Sequence, residues 1–77
     1  MNIKYSKIAI KYIEKLDKNI RERILRAIEI LPSGDVKQLK ELNSEYRLRV
    51  GTYRVLFSIN GDTIEIDKVA PRGSAYN

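Results

Sequence analysis

Histidine and cysteine are both absent from this 77-residue chain. Without cysteine the chain forms no disulfide framework, and without either residue it lacks the usual ligands of a zinc site. Its serines have no imidazole to serve as a base. No glycine-rich phosphate loop is present either. We therefore expect no metal and no cofactor, and any catalysis must use unusual acid–base groups.

Long hydrophobic runs are also missing. Residues 8–10 are apolar, but Lys11 interrupts them at once, so the sequence predicts neither a transmembrane helix nor a signal peptide. The 43% hydrophobic and 32% charged residues are typical of a globular protein. The length predicts a single domain, residues 1–77, with one small core. We expect a cytoplasmic protein with no membrane partner.

Positive charge is plentiful. The 15 lysines and arginines outnumber the 10 acidic residues, which gives a net charge of +5. A basic surface attracts polyanions and speeds association with them. Many small proteins are basic, so the positions of the charges carry more information than their sum.

Apolar residues recur at helical spacing in the first half of the chain. Residues 2–5 are predicted to form a short strand, and Ser6 is predicted to cap a first helix. Either Asp17 or Asn19 is predicted to cap a second helix. The Pro-Ser-Gly-Asp sequence at 32–35 ends that helix. The pattern predicts two helices that form a hairpin.

The second half of the chain is rich in strand signals. Strands are predicted at 45–50, 53–59 and 62–70, after a connector at 36–44. Gly51-Thr52 and Asn60-Gly61 separate the strands, and Asn-Gly between alternating runs is a strong hairpin signal. The predicted fold class is therefore α+β, with the order β-α-α-β-β-β and an antiparallel sheet that has the two-helix hairpin packed on one face.

The two turns predict which side chains face the helices. A loop at 51–52 places residue 48 opposite 55, and a loop at 60–61 places residue 55 opposite 66. Both turns then put apolar residues on the same face, which we expect to form the core. These residues are Tyr46, Leu48, Val50, Tyr53, Val55, Phe57, Ile64 and Ile66.

The same registers gather arginines on the uncovered face. Arg49 is predicted to face Arg54, and Arg54 to face Asp67 on the next strand. Like charges directly opposite each other are destabilising, and Asp67 offsets only part of the repulsion. Arg72 follows the last strand, close to the turn at Gly51. The three arginines predict a site for an anion, most simply an RNA phosphate, and the alternative is a solvated face of mixed charge.

The chain resembles the RelE/ParE superfamily of bacterial and archaeal toxins. The resemblance rests on the hairpin Tyr46-Arg-Leu-Arg-Val-Gly-Thr-Tyr-Arg-Val55, on the Asn-Gly turn after it and on the terminal Arg72-x-x-x-Tyr76. The order of elements and the segment 37–42 before the hairpin also match, so the resemblance spans essentially the whole chain. The terminal arginine and tyrosine resemble the RelE-like members of the superfamily more than the ParE-like members.

The resemblance implies the toxin of a type II toxin–antitoxin pair, a metal-independent endoribonuclease that cleaves mRNA in the ribosomal A site. By matching position, Arg54 and Arg49 would stabilise the dianionic transition state, and Arg47 and Arg49 would bind RNA. Tyr76 would be the base for the 2′-OH, with its pKa lowered by nearby cations. Arg72 would contact phosphate and the leaving 5′-oxygen. The implied partners are the ribosome, mRNA and a small acidic or amphipathic antitoxin.

Two positions depart from the RelE pattern. Pro71 stands where many relatives have histidine, and Arg47 and Arg49 form an Arg/Arg pair where some relatives use lysine. ParE-like members use a similar fold to inhibit DNA gyrase and are not nucleases. The alternatives are therefore a non-catalytic gyrase inhibitor and a plain RNA-binding module. For Arg72 and Tyr76, the simpler interpretations are a solvated tail residue and either a frayed terminus or a ring packed on the core.

Overall fold

Two helices and five strands make up the parts of the chain that the computed structural model describes, residues 2–39 and 45–72. The predicted α+β class and the predicted order of elements are confirmed, with one additional short strand. The elements are β1 (Asn2–Tyr5), α1 (Lys7–Glu14), α2 (Lys18–Glu29), β2 (Val36–Gln38), β3 (Glu45–Val50), β4 (Tyr53–Asn60) and β5 (Thr63–Pro71).

Polar side chains begin both helices. The Ser6 hydroxyl accepts a hydrogen bond from the Ala9 amide at 3.0 Å and donates to the Asp67 carbonyl at 2.8 Å. Asp17, one of the two predicted caps, accepts from the Asn19 amide at 3.2 Å. These bonds satisfy amides that have no partner within the first helical turn. Neither helix of the described residues has the length and apolar character needed to cross a membrane.

The sheet has the strand order β1-β5-β4-β3-β2. The sheet was predicted to be antiparallel, but it is mixed. Strand β1 runs parallel to β5, with Ile3 opposite Ile64. Parallel pairing is possible because the two helices carry the chain from β1 to the opposite edge of the sheet. Strands β2, β3 and β4 then lead back to β5. The segment 36–44, predicted to be a connector, contributes the edge strand β2, which pairs antiparallel with β3. Three residues are too few to show an alternating pattern, so this strand could not be predicted from the sequence.

Strands β3 and β4 pair in the predicted register, with Leu48 opposite Val55. The predicted register of β4 and β5 was wrong. The turn residues are 61 and 62 rather than 60 and 61, and a bulge follows near Leu56 and Phe57. Only glycine has a positive φ in this turn, +61° at Gly61, so glycine takes the first central position, as in a type II′ turn. Phe57 therefore lies opposite Ile66.

The core face was predicted correctly even though some of its pairs were not. A shift of two residues keeps every side chain on its own side of the sheet, whereas a shift of one would reverse them. Tyr46 and Tyr53 lie at the margin of the core, with their rings partly exposed. The other six predicted residues are at most 8% exposed, and they pack with Ala9, Ile13, Ile24, Ile28 and Val69.

Candidate functional site

The uncovered face of the sheet is arranged in rows that cross the strands. Beside the β3–β4 turn, the first row contains Arg49, Arg54 and Ala70. The second row contains Lys37, Arg47, Leu56 and Lys68, and the third contains Glu45, Ser58, Glu65 and Lys4. Two regions result, which we name by their charged residues. The arginine end comprises Arg47, Arg49, Arg54 and Arg72, and the carboxylate end comprises Glu45, Glu65 and Asp67.

Arg49 and Arg54 face each other across β3 and β4, as predicted. The prediction that Arg54 faces Asp67 was wrong, because the shifted turn and the bulge place Ala70 there instead. The Arg54 guanidinium donates through one nitrogen to the carbonyls of Gly51 and Tyr53, at 3.3 and 3.1 Å. A carbonyl carries no net charge, so Arg54 keeps its full positive charge and is held beside the turn.

Asp35 supplies a carboxylate at the arginine end, and sequence reasoning missed it. One of its oxygens accepts a hydrogen bond from Nε of Arg49 at 2.5 Å, and the other lies 3.6 Å from a terminal nitrogen of Arg47. The Asp35 backbone carbonyl also accepts from the Arg49 amide at 3.0 Å. The sequence pattern predicts Asp35 only as part of the segment that ends the second helix. The contact depends on strand β2, which brings residue 35 beside β3.

Arg72 lies at the same end of the sheet, as predicted. Its backbone amide donates to the Thr52 carbonyl at 2.7 Å, and the preceding residue, Pro71, pairs with Tyr53. The Arg72 side chain is exposed. Tyr76, the predicted base, lies outside the described residues, so its place in the site stays a prediction.

A further arginine reaches the β3–β4 turn from the helix side. A methyl group added at Gly51 would lie 3.2 Å from a terminal nitrogen of Arg23, which belongs to α2. Gly51 has a φ of +59°. Arg23 is an exposed residue of α2. The structure places it beside the turn that also holds Arg54, so positive charge flanks the turn on both sides.

The carboxylate end is organised by hydrogen bonds between acidic groups. Glu45 and Asp67 share a side-chain hydrogen bond, and Ser58 also bonds to Asp67. Burial raises the pKa of Glu45, and the charge and hydrogen bond of Asp67 raise it further. Burial also raises the pKa of Asp67, although its bonds to Ser58 and Glu45 act in the opposite direction. Both carboxyl groups therefore hold a proton more readily than an exposed carboxyl group does, with burial as the first cause in each case.

The charges on the uncovered face of the sheet favour a bound polyanion at one end and disfavour it at the other. Arginines offer planar donors suited to phosphate oxygens, and they remain charged at any physiological pH. The carboxylate end lies on β3 and β5 of the same sheet and repels a phosphate backbone. A polyanion on this face is therefore favoured beside the β3–β4 turn and disfavoured toward the β4–β5 turn.

Comparison with known proteins gives consistent matches along nearly the whole chain. The family model described as the ParE toxin of the type II toxin–antitoxin system parDE matches residues 3–76. Toxin RelE3 of Methanocaldococcus jannaschii is 33% identical over 85 aligned positions, which cover 100% of this chain and 97% of that protein.

Two solved structures share the fold closely. The RelB–RelE antitoxin–toxin complex from Methanococcus jannaschii superposes with a TM-score of 0.80 at 32% identity, over 95% of this chain and 94% of that one. The archaeal RelE–RelB complex from Pyrococcus horikoshii OT3 also gives 0.80, at 33% identity, over 96% of this chain and 97% of that one.

Proposed function

Since this chain belongs to the RelE/ParE superfamily and is the toxin of a type II toxin–antitoxin system, we propose that it is an endoribonuclease that cleaves mRNA on the ribosome. The observation that supports this activity is the convergence of arginines at the β3–β4 turn. Arg49 faces Arg54 across two strands, and the Arg72 amide bonds to the same turn. This arrangement concentrates fixed positive charge where a phosphate backbone can reach it.

The proposed reaction is attack of a ribose 2′-oxygen on the adjacent phosphorus. A bond forms between the 2′-oxygen and phosphorus, and the bond to the 5′-oxygen of the next nucleotide breaks, which leaves a 2′,3′-cyclic phosphate. The proton of the 2′-OH passes to the phenolate of Tyr76, and the leaving 5′-oxygen takes up a proton from water as it departs. The phosphorus centre carries two negative charges in the transition state, so donors fixed beforehand contribute most there.

The described arginines have distinct parts in this scheme. Arg54 is held by two carbonyls, which leaves its other guanidinium donors for a phosphate oxygen. Arg49 stands directly opposite and binds the same charge from β3. Arg72 contacts the phosphate on the leaving side, and Arg47 binds the RNA backbone in the next row.

Such a site supplies charge but little proton transfer, because arginine barely titrates and the chain has no histidine. Orientation of the substrate must then provide much of the acceleration, and a well-oriented reaction gains several orders of magnitude in rate. The decoding site of the ribosome holds mRNA in a defined geometry. Dependence on the ribosome follows from the weakness of the chemical groups.

A cognate antitoxin is the second proposed partner. Both archaeal structures similar to this chain are complexes of a RelE toxin with a RelB antitoxin. A net charge of +5 favours an acidic or amphipathic segment that folds as it binds. Such a segment neutralises the toxin by covering the arginine end or by displacing Tyr76.

The direct test is induction of the chain in bacteria, followed by mapping of mRNA 5′ ends. We expect growth arrest with new 5′ ends inside translated reading frames. The matched control is a reporter mRNA that differs only by loss of its start codon, which should stay intact. Growth arrest with intact mRNA and altered DNA supercoiling would refute the nuclease and favour inhibition of gyrase.

A further inference from the structure

One carboxylate lies within the arginine end itself. We propose that Asp35 occupies the place of a phosphate group on Arg47 and Arg49, and therefore competes with a bound polyanion for these two arginines. The inference rests on the proposed function to the extent that the polyanion is RNA. The competition itself concerns any phosphate group that reaches the two side chains.

The contact geometry supports this substitution. Each carboxylate oxygen of Asp35 serves a different guanidinium, Nε of Arg49 at 2.5 Å and a terminal nitrogen of Arg47 at 3.6 Å. The two non-bridging oxygens of a phosphodiester present a similar pair of acceptors, since arginine recognises carboxylate and phosphate through the same planar donors. A phosphate that bridges Arg47 and Arg49 would lie where the Asp35 carboxylate now lies, and the two negative charges would repel each other.

Solvent exposure makes the exchange feasible. The side chains of Asp35 and Arg49 are 45% and 53% exposed, whereas that of Arg47 is 13% exposed, so an incoming anion reaches Asp35 and Arg49 first. Exposed ion pairs contribute little net stability, so their replacement costs little. The backbone carbonyl of Asp35 stays bonded to the Arg49 amide without help from the carboxylate. Only the Asp35 side chain has to turn away, and strand β2 can remain in place.

The other arginines of the site are bound differently. Within residues 2–39 and 45–72, both ion pairs at the arginine end involve Asp35, whereas Arg54 bonds to carbonyls. Of the two arginines that face each other, Arg49 is thus covered by a carboxylate and Arg54 is not. A polyanion would meet Arg54 directly, but it would gain Nε of Arg49 only by displacing the Asp35 carboxylate. This arrangement weakens binding to polyanions that make few other contacts.

The experiment uses the full chain and inorganic phosphate as the probe. Phosphate is titrated while the Nε–H resonance of Arg49 is followed by NMR. For Asp35→Asn we expect phosphate to bind about fivefold more tightly than in the unmodified chain. Asp62→Asn is the matched control, because it removes the same charge from an exposed residue in the β4–β5 turn. We expect the affinity of this control to change by less than about twofold.

A second substitution and a second NMR resonance distinguish the expected effect from misfolding of the variant. Asp35→Ser also removes the carboxylate and should tighten phosphate binding like Asp35→Asn, with the Arg49 amide resonance unchanged. In the unmodified chain, phosphate should itself shift the Arg49 Nε–H resonance as the bond to Asp35 breaks. Unchanged or weaker phosphate binding in both variants would overturn the inference, and so would an Nε–H resonance that does not respond to phosphate.

A parallel titration with a short single-stranded RNA separates this inference from the proposed function. Asp35→Asn should also tighten RNA binding, and this gain should disappear when Arg49→Ala is added. If phosphate binds more tightly but no variant binds RNA, Asp35 is a competitor and the proposed ribonuclease loses its support. If RNA binds the unmodified chain while the substitutions at Asp35 leave phosphate affinity unchanged, the inference fails and the proposed function stands.

Discussion

The arginine end and the carboxylate end lie on the same sheet, yet repulsion between like charges is relieved in different ways at the two ends. Arginine cannot release its proton, so Arg49 and Arg54 remain charged and depend on Asp35 and on backbone carbonyls. Glu45 instead takes up a proton more readily, as its raised pKa shows. Repulsion at the carboxylate end is thus relieved by titration. At the arginine end it persists, and an external anion is the means left to relieve it.

The largest expected effect comes from Arg54, which keeps its whole charge at the arginine end. Arg54→Ala should lower cleavage of translated mRNA by about 10²–10³-fold, because it removes a fixed donor from the charged transition state. Stability should hardly change, since the substitution also removes the repulsion with Arg49. The control is Arg26→Ala on the exposed side of α2. Full cleavage by Arg54→Ala at equal expression would reduce the arginine end to ordinary surface charge.

The two hairpin turns allow the ends to be compared through stability. Gly51 and Gly61 have φ values of +59° and +61°, so alanine at either position should cost about 1–2 kcal/mol of folding free energy. A methyl group at Gly51 would also meet Arg23, whereas nothing lies within 4 Å of one at Gly61. The contacted atoms are the exposed end of a flexible side chain that can move aside, so we expect only a slightly larger drop in melting temperature for Gly51→Ala. The difference should vanish in an Arg23→Ala background, and a smaller drop for Gly51→Ala than for Gly61→Ala would contradict it.

Sequence reasoning predicted the arginine end better than the carboxylate end. A simple two-residue loop at Gly51-Thr52 joins β3 to β4, so the pairing of Arg49 with Arg54 could be predicted directly. In the next hairpin the Asn-Gly pair favoured a turn one residue too early. The bulge near Leu56 and Phe57 then changed the count of residues along β5. Bulges leave little trace in an alternating pattern, so the partner of Arg54 could not be predicted.

The carboxylates were harder to place than the arginines. Asp35 reaches Arg49 only because a three-residue strand pairs with β3, and its contact spans 14 residues of sequence. The bond between Glu45 and Asp67 joins β3 to the bulged part of β5 across a strand. Both contacts depend on register between distant segments. The apolar core tolerates a register shift of two residues, but individual polar contacts do not.

A smaller effect is expected when RNA binding is compared between variants at the arginine end and at the carboxylate end. Arg72→Ala should weaken binding of single-stranded RNA a few-fold and lower the slope of log affinity against log salt by about 0.7, the amount for one lost phosphate contact. Lys4→Ala is the control, because Lys4 lies on the same face beside Glu65 at the carboxylate end. Its slope should stay constant. Equal changes for both variants would mean that the RNA is attracted by net charge alone.

The smallest expected effect concerns the carboxylate end and its dependence on pH. The pKa values of Glu45 and Asp67 are raised from their ordinary values of 4.5 and 3.8. The folded chain therefore binds protons more tightly than the unfolded chain in this range. The stability that these groups contribute is fully present below the ordinary pKa values and is lost as pH rises through the raised ones.

Glu45→Gln removes the part of this dependence that comes from Glu45. The amide can still donate a hydrogen bond to Asp67 but never ionises, so the melting temperature at pH 7 should rise by a few degrees and that near pH 4 should stay nearly constant. Glu14→Gln on the exposed side of α1 changes the net charge equally and should leave the difference between the two pH values as it is. If Glu45→Gln lowers the melting temperature at pH 7, the ionised pair stabilises the fold. The contrast between a titratable end and a permanently charged end would then be lost.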